Sequence, residues 1–329
     1  MESLLTKIRP VTEADRQTLK MASYTKLDTY KKCAMQYYYK YVEKKFSFES
    51  SLATELGSIC HYVLEQKGKM LNSDGGKVDY ERLSDYLING VTELDEKTTQ
   101  PLSGVNTLKK KYMEDWYAPD NASGKTYEDK MKIFDEVLHH EMETDDWMPI
   151  LFEHPFEFVY DNRIIIHGYI DRIDKKVVDG ETYYRTTDYK TSKKLYSSSD
   201  VATSLQFGIY ALAILLEFGV LPIESLYRFI LINDQQHALT KGWEKRLVKA
   251  LDKLLNGIDQ CGSSHIWKPS PTPLCAWCSY SKTNTGAQKY NNLCEYHSLW
   301  TPTNKTFEVN KSYEEKPIEE QTAKRKIVF

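Results

Sequence analysis

The clearest periodicity in the chain lies between residues 152 and 191, where apolar and polar positions alternate with the period of two that predicts strands. Residues 152–160 read as the first strand. In the next, Ile164, Ile166, Gly168 and Ile170 share one parity and Ile165, His167, Tyr169 and Asp171 the other. Asp171 therefore projects from the face opposite the aliphatic one. Asp179-Gly180 is a turn-forming dipeptide between two alternating runs, a hairpin signal. On the returning strand Thr186, Asp188 and Lys190 fall on one face.

Elsewhere the spacing is helical. In residues 23–45, Ser23 is a capping residue, and Leu27, Tyr30, Ala34, Tyr37, Tyr38 and Tyr41 recur with helical period. Lys31, Lys32 and Lys40 lie opposite, with Lys44 and Lys45 following. Such a segment either buries its tyrosines or uses lysines on phosphates and rings on bases; burial is the expectation for most of them. Residues 51–67 predict a second helix with Leu52, Leu56, Ile59 and Val63 on one face, and Gly57 and His61 together on one side. Residues 68–150 read as a polar, helical insertion. Within it, Lys109, Lys110, Lys111 and Trp116 are candidates for nucleic-acid contact, against the simpler reading of a solvated face. His139, His140, Glu141 and Glu143 are too close in sequence to converge from one helix face.

Residues 200–217 predict a helix that puts Gln206 and Tyr210 on one face. A buried strand at 226–233 and an amphipathic helix at 240–258 follow. Helix, three strands, helix, strand, helix is the order of an α/β sandwich with a mixed central sheet. The polar residues 1–22 are expected to form a poorly ordered arm.

Composition narrows the function. A chain of 329 residues fits two domains or one catalytic domain with a large insertion, and 41% hydrophobic residues support a core. The longest apolar run, 210–221, contains Glu217 and falls short of the ~20 residues of a membrane span, so no membrane association is expected. The start, MESLLTKIRP, lacks the pattern of a secretory signal. A net charge of −3 leaves nucleic-acid binding to local patches. Six cysteines, three of them clustered, suit metal ligation in a reducing cytoplasm better than disulfides. Cys275, Cys278 and Cys294 with His297 would make a zinc site. The same three with the remote Cys33 would make an iron–sulfur site. Spacing alone leans to zinc. Cys60 and Cys261 read as buried thiols. No Walker A loop is present, so a built-in helicase motor is not expected.

Asp171 on one strand and Asp188-Tyr189-Lys190 on the next can serve divalent-metal phosphodiester hydrolysis. Two carboxylates hold a hard cation, and the lysine can orient water or stabilise developing charge. Taken singly, each signal is weak: Asp-x-Lys is common on surface hairpins, and a lone helical histidine such as His61 is seldom a ligand.

Taken together they resemble the RecB/AddB-type branch of the PD-(D/E)XK nuclease superfamily, which includes CRISPR-adaptation nucleases and phage exonucleases with an iron–sulfur cluster. The resemblance covers residues 23–294 and rests on four motifs in order: Gly57-x-x-x-His61, Gly168-x-x-Asp171, Asp188-x-Lys190 and Gln206-x-x-x-Tyr210. It implies a restriction-endonuclease-like sandwich, with an arm at 1–22, helices at 23–67, the insertion at 68–150, the nuclease core at 151–260, a cysteine region at 261–302 and a disordered tail at 303–329. It implies Mg2+ or Mn2+ at Asp171 and Asp188, with His61 and the Tyr189 carbonyl as further ligands. Lys190 joins Asp171 and Asp188 as catalytic, and Gln206 and Tyr210 support the site or touch DNA. The resemblance also implies a [4Fe-4S] cluster on Cys33, Cys275, Cys278 and Cys294. Two departures bear on the cluster: Ala34 stands where the family has proline, and the gap from Cys278 to Cys294 is long. The implied function is a deoxyribonuclease, most simply an exonuclease, in bacterial or phage recombination, repair or replication. A helicase or replication protein would be its partner, and residues 324–329 are a candidate docking peptide.

Overall fold

The computed structural model describes residues 2–294 apart from 47–49, 74, 93–99, 122, 144–145, 239–241, 282–289 and 291–292. His297 and the tail from residue 303, with its candidate docking peptide, lie outside the described residues. The chain divides into two compact units: Met1–Met21 with Ser50–Leu247, and Ala22–Glu49 with Val248–Phe329.

The first unit is organised around a mixed sheet. Six of its strands run in one consecutive path: β1 (Ile8–Arg9), β2 (Met148–Tyr160), β3 (Ile164–Val178), β4 (Glu181–Lys190), β5 (Glu224–Phe229) and β6 (Asp234–His237). They follow one another in space in that order, and every neighbouring pair is antiparallel except β4 and β5. The hairpin joining β3 to β4 pairs Val178 with Glu181, leaving Asp179 and Gly180 as a two-residue turn at φ +52° and +82°. Positive φ at both positions is what a tight hairpin matching the strand twist requires, and it suits the Asp-Gly pair.

Two helical layers complete the unit. Helices α1 (Leu52–Leu71), α2 (Tyr80–Asn89), α3 (Val105–Lys111), α4 (Met113–Tyr117) and α5 (Tyr127–His140) share one apolar core with Phe152 of β2 and Tyr189 of β4. Phe152 pairs with Arg172, and Arg172 with Thr187, so this is the sheet face carrying the odd-numbered residues of β4. Helix α6 (Leu205–Phe218) makes the crossover that parallel β4 and β5 need. The stretch Ser198–Phe218 is apolar enough to cross a membrane by composition, but 67% of its window is buried within the protein.

Several elements differ from expectation. The segment expected as a poorly ordered arm holds regular elements: Leu4 and Ile8 are buried, and Ile8 pairs with Tyr160. Thr12 and Asp15 form a capping box that starts the helix Glu13–Thr18, a signal legible as Thr-x-x-Asp. The single helix expected at 200–217 is broken: Ser198–Ala202 ends at its C-cap Thr203, and Ser204 caps α6 by accepting from Phe207 N. The strand expected at 226–233 ends at Phe229, and a turn with Asn233 at φ +51° leads into β6. Trp116 is fully buried and donates to Glu128, which removes it from any nucleic-acid surface.

The second unit packs the helices Tyr24–Lys32 and Ala34–Tyr37 with residues from Val248 onward. Its core holds Met35, Tyr37 and Trp267, with Tyr37 stacked on Trp267 at 5.6 Å between ring centroids. Tyr30, Tyr38, Tyr39 and Tyr41 pack around them, so these tyrosines serve the core. Cys261 is half-buried rather than buried, with its sulfur 3.4 Å from the Tyr30 hydroxyl.

Candidate metal centre

Ser51 caps α1 by accepting from Thr54 N at 3.2 Å, and further along the same helix His61 arrives at the end of β4. Gly57 lets α1 approach the segment after β4: a Cβ there would lie 3.3 Å from Thr191 Oγ1. His61 Nε2 is 3.0 Å from the Tyr189 carbonyl, and Nδ1 is 3.4 Å from Asp171 Oδ2 and 3.7 Å from Glu153 Oε1. Asp171 Oδ2 also accepts from Tyr189 N at 2.7 Å. One ligand atom each from His61, Glu153 and Asp171 lies within 4.8 Å of the other two. One imidazole and two carboxylates at that spacing form a donor set for a hard divalent cation.

Glu153 was not among the residues singled out from sequence. The β2–β3 rungs Phe152↔Arg172 and His154↔Ile170 place Glu153 across from Asp171, so the missing signal was strand register. Its own conformation, φ +42°, is uncommon for a residue with a side chain. Two carboxylates facing each other across a ladder repel unless something positive lies between them.

Asp188 stands beside this set without being part of it. It is 2% exposed, and its Oδ2 is 2.5 Å from Lys190 Nζ. Its Oδ1 accepts from Gln206 Nε2 at 2.6 Å and from the Tyr210 hydroxyl at 3.2 Å. Gln206 Oε1 accepts from Lys190 Nζ at 3.3 Å, so one amide holds both the acid and the lysine. Gln206 and Tyr210 are buried, which makes them supports for Asp188.

The charges are strongly coupled. Burial, reinforced by Asp188 and opposed by His61, pushes the Asp171 carboxyl up to about 7. Burial works against the His61 cation, but Asp171 and Glu153 outweigh it and raise the imidazole to about 9. Burial likewise opposes the Lys190 ammonium, yet Asp188 raises it above its ordinary value. Without a cation, the centre retains protons that a bound metal would displace.

The cysteines form a separate locus in the second unit. Cys33, Cys275, Cys278 and Cys294 line one cavity of about 350 Å³. Ser270 N donates to Cys33 Sγ and Thr272 N to Cys275 Sγ, both at 3.4 Å. Burial pushes the Cys33 thiol up, and Cys278 to about 11. The four thiols share this one cavity, and backbone N–H groups donate to the sulfurs of Cys33, Cys275 and Cys278.

Residues 21–283 match the PD-(D/E)XK nuclease superfamily. Over 195 residues the chain is 26% identical to an ATP-dependent helicase/deoxyribonuclease subunit from Clostridium novyi (strain NT), covering 55% of this chain. It is 28% identical over 203 residues to the protein of the same name in Clostridium perfringens (strain SM101 / Type A), covering 56% of this chain. In both cases the match spans only 16% of the relative's length.

Proposed function

Since this chain belongs to the PD-(D/E)XK nuclease superfamily, we propose that it is a metal-dependent deoxyribonuclease whose site is formed by His61, Glu153, Asp171, Asp188 and Lys190. The observation that carries the proposal is the convergence of His61, Glu153 and Asp171 beside a buried Asp188–Lys190 pair. His61, Glu153 and Asp171, with the Tyr189 carbonyl 3.0 Å from His61, would hold Mg2+ or Mn2+. Asp188 would join them if Lys190 moved from its carboxylate to the reacting phosphate. When bound, such a cation would supply Lewis acidity at the scissile phosphate and acidify the attacking water. The protein's own contribution is placement. Gln206 and Tyr210 fix Asp188, and Asp188 keeps Lys190 protonated and aimed at the site. A cationic lysine there orients the water and neutralises charge on the phosphorane-like transition state.

The relatives named helicase/deoxyribonuclease support DNA as the substrate and a separate helicase as a partner. The reading is an exonuclease of recombination or repair, with a [4Fe-4S] cluster on Cys33, Cys275, Cys278 and Cys294 in a structural role. Zinc on Cys275, Cys278, Cys294 and His297 is the alternative. An endonuclease of the same fold is the second reading of the activity, and closed circular DNA separates the two, since an exonuclease spares it.

The deciding assay uses end-labelled single- and double-stranded DNA with Mn2+ or Mg2+. The wild type cleaves, while Lys190→Ala and Asp171→Asn lose about 10²–10³-fold or more in rate, the scale of removing one transition-state stabiliser, and keep their fold by circular dichroism. Full activity in either folded variant overturns the assignment. An inactive wild type on every DNA form makes the protein a non-cleaving module.

A further inference from the structure

The reverse face of the sheet, away from Asp188 and Lys190, carries a second polar cavity. Arg172 and Thr187 are cross-strand partners, Thr187 pairs with Leu226, and Arg228 pairs with Tyr189, so these side chains share that face. With Glu141 and Arg185 they line a cavity of about 260 Å³. That is below the ~300–1,000 Å³ of pockets enclosing drug-sized ligands. It suits a single small group.

The wall is built and buried. Arg172, Arg185 and Arg228 have side chains 4%, 5% and 14% exposed. Glu141 bridges two of them, accepting from Arg172 Nη1 at 2.7 Å and from Arg228 Nε at 2.8 Å. Asp174 takes the Nε groups of Arg172 and Arg185 at 2.9 Å and 2.8 Å. Of these charges less than 15% exposed, three are cations and two are carboxylates. Glu224, 25% exposed and 3.7 Å from Arg185 Nη1, offsets part of the excess, and Asp234 at the rim is solvated.

Two donors are left over. Thr187 is fully buried, lines the cavity, and its Oγ1 has no hydrogen-bond partner among the described residues. A buried hydroxyl without a partner has lost its hydrogen bonds to water and gained none in return, which destabilises the fold. Arg172 spends Nε on Asp174 and Nη1 on Glu141 and Tyr189, which leaves Nη2 without an acceptor among the described residues. A guanidinium N–H and a hydroxyl, set among arginines in a small cavity, want a ligand made of acceptor oxygens.

We propose that this cavity binds a small oxyanion, the phosphate group, through Thr187 Oγ1 and Arg172 Nη2. Free phosphate and the phosphate of a deoxynucleoside 5′-monophosphate share that chemistry. The proposal does not rest on the nuclease reading, because none of these side chains belongs to the metal centre. The two sites still meet at Tyr189. Its hydroxyl accepts from Arg172 on the reverse face, while its peptide N–H and carbonyl contact Asp171 and His61. An anion drawing Arg172 outward would loosen that tyrosine.

The test is calorimetric titration of the full chain, without added divalent metal, with inorganic phosphate and separately with thymidine 5′-monophosphate. Thr187→Val keeps the β-branched shape and removes the unpaired hydroxyl, so it should fold with unchanged or higher Tm. The expected result is one saturable phosphate site per chain, retained in Asp171→Asn and weakened about tenfold or more in Thr187→Val. Binding of phosphate alone identifies the free ion, and equal or tighter binding of the monophosphate identifies the nucleotide. Absence of saturable binding overturns the proposal, as does equal affinity in Thr187→Val or loss in Asp171→Asn. So does a crystal grown in phosphate with only water at Thr187.

Discussion

At the scale of single residues, the candidate metal centre is a problem in charge. Glu153, Asp171 and Asp188 approach one another, and His61 and Lys190 relieve them only in part. His61, raised to about 9, contributes stability that is fully present below about pH 6.5 and lost as pH rises toward 9. Asp171, raised to about 7, stays protonated in the folded state while the unfolded chain ionises from about pH 4, so it too lowers stability as pH rises. The signs agree. Metal-free protein should melt at a lower temperature near pH 8.5 than near pH 6. Binding requires ionised Asp171 and neutral His61, so the rise in Tm on adding Mn2+ should be larger at the higher pH. Glu153→Gln should shrink that rise at both values. Thermal melts with chelator or Mn2+ check this, and a metal-induced shift that ignores pH contradicts the assignment.

The same residues show what the sequence could and could not reveal. Asp171, Asp188 and Lys190 were singled out through the motifs Gly168-x-x-Asp171 and Asp188-x-Lys190, and strand alternation assigned each to a face without knowledge of the partner strand. Glu153 was not, since its role depends on which residue it opposes, and register is a tertiary property. The Thr187–Arg172 cavity was hidden for a related reason. Arg172, Arg185 and Arg228 read as ordinary strand charges until the end of α5 brings Glu141 between two of them.

At the scale of elements, α1 is held at two glycines with different tolerances. A Cβ on Gly68 would lie 2.0 Å from the Phe152 ring, whereas one on Gly57 would lie 3.3 Å from the Thr191 hydroxyl. Gly68→Ala should therefore destabilise the first unit by about 1–3 kcal/mol through overpacking, offset by roughly 1 kcal/mol of helix preference. Gly57→Ala should cost less stability and show its effect in cleavage, because α1 carries His61. Denaturant melts with the DNA assay separate the two, and equal stability losses would count against this account. The element order was readable from periodicity alone, while the boundaries that failed did so for local reasons. Ser204 looks like an interior residue until its hydroxyl caps α6, and Ile230–Ile232 continue the apolar pattern of β5 although the chain turns there. The structure of the N-terminal segment was missed because its buried apolar residues, Leu4, Ile8 and Ala22, are too few and too far apart to set a period.

At the scale of the whole molecule, the residues that lie between the four cysteines in sequence belong largely to the other unit. If Cys33, Cys275, Cys278 and Cys294 hold a cluster, closing so long a loop should stabilise the folded second unit. Cys33→Ser should then bleach the visible absorption of anaerobically purified protein and lower the melting temperature. Full colour in that variant removes Cys33 from the ligand set, and one zinc per chain in colourless wild type favours the alternative with His297.

The discontinuity also sets an order of events during synthesis. Met35 and Tyr37 find their partner Trp267 only after the intervening nuclease residues have been made. At about 5–20 residues per second, the wait for the roughly 230 residues between Tyr37 and Trp267 is on the order of 10–50 s. Over that interval most of the first unit, Ser50–Leu247, is synthesised. The tyrosine-rich early segment meanwhile stands open to chaperones, with Cys33 reachable by oxidants and by stray metal.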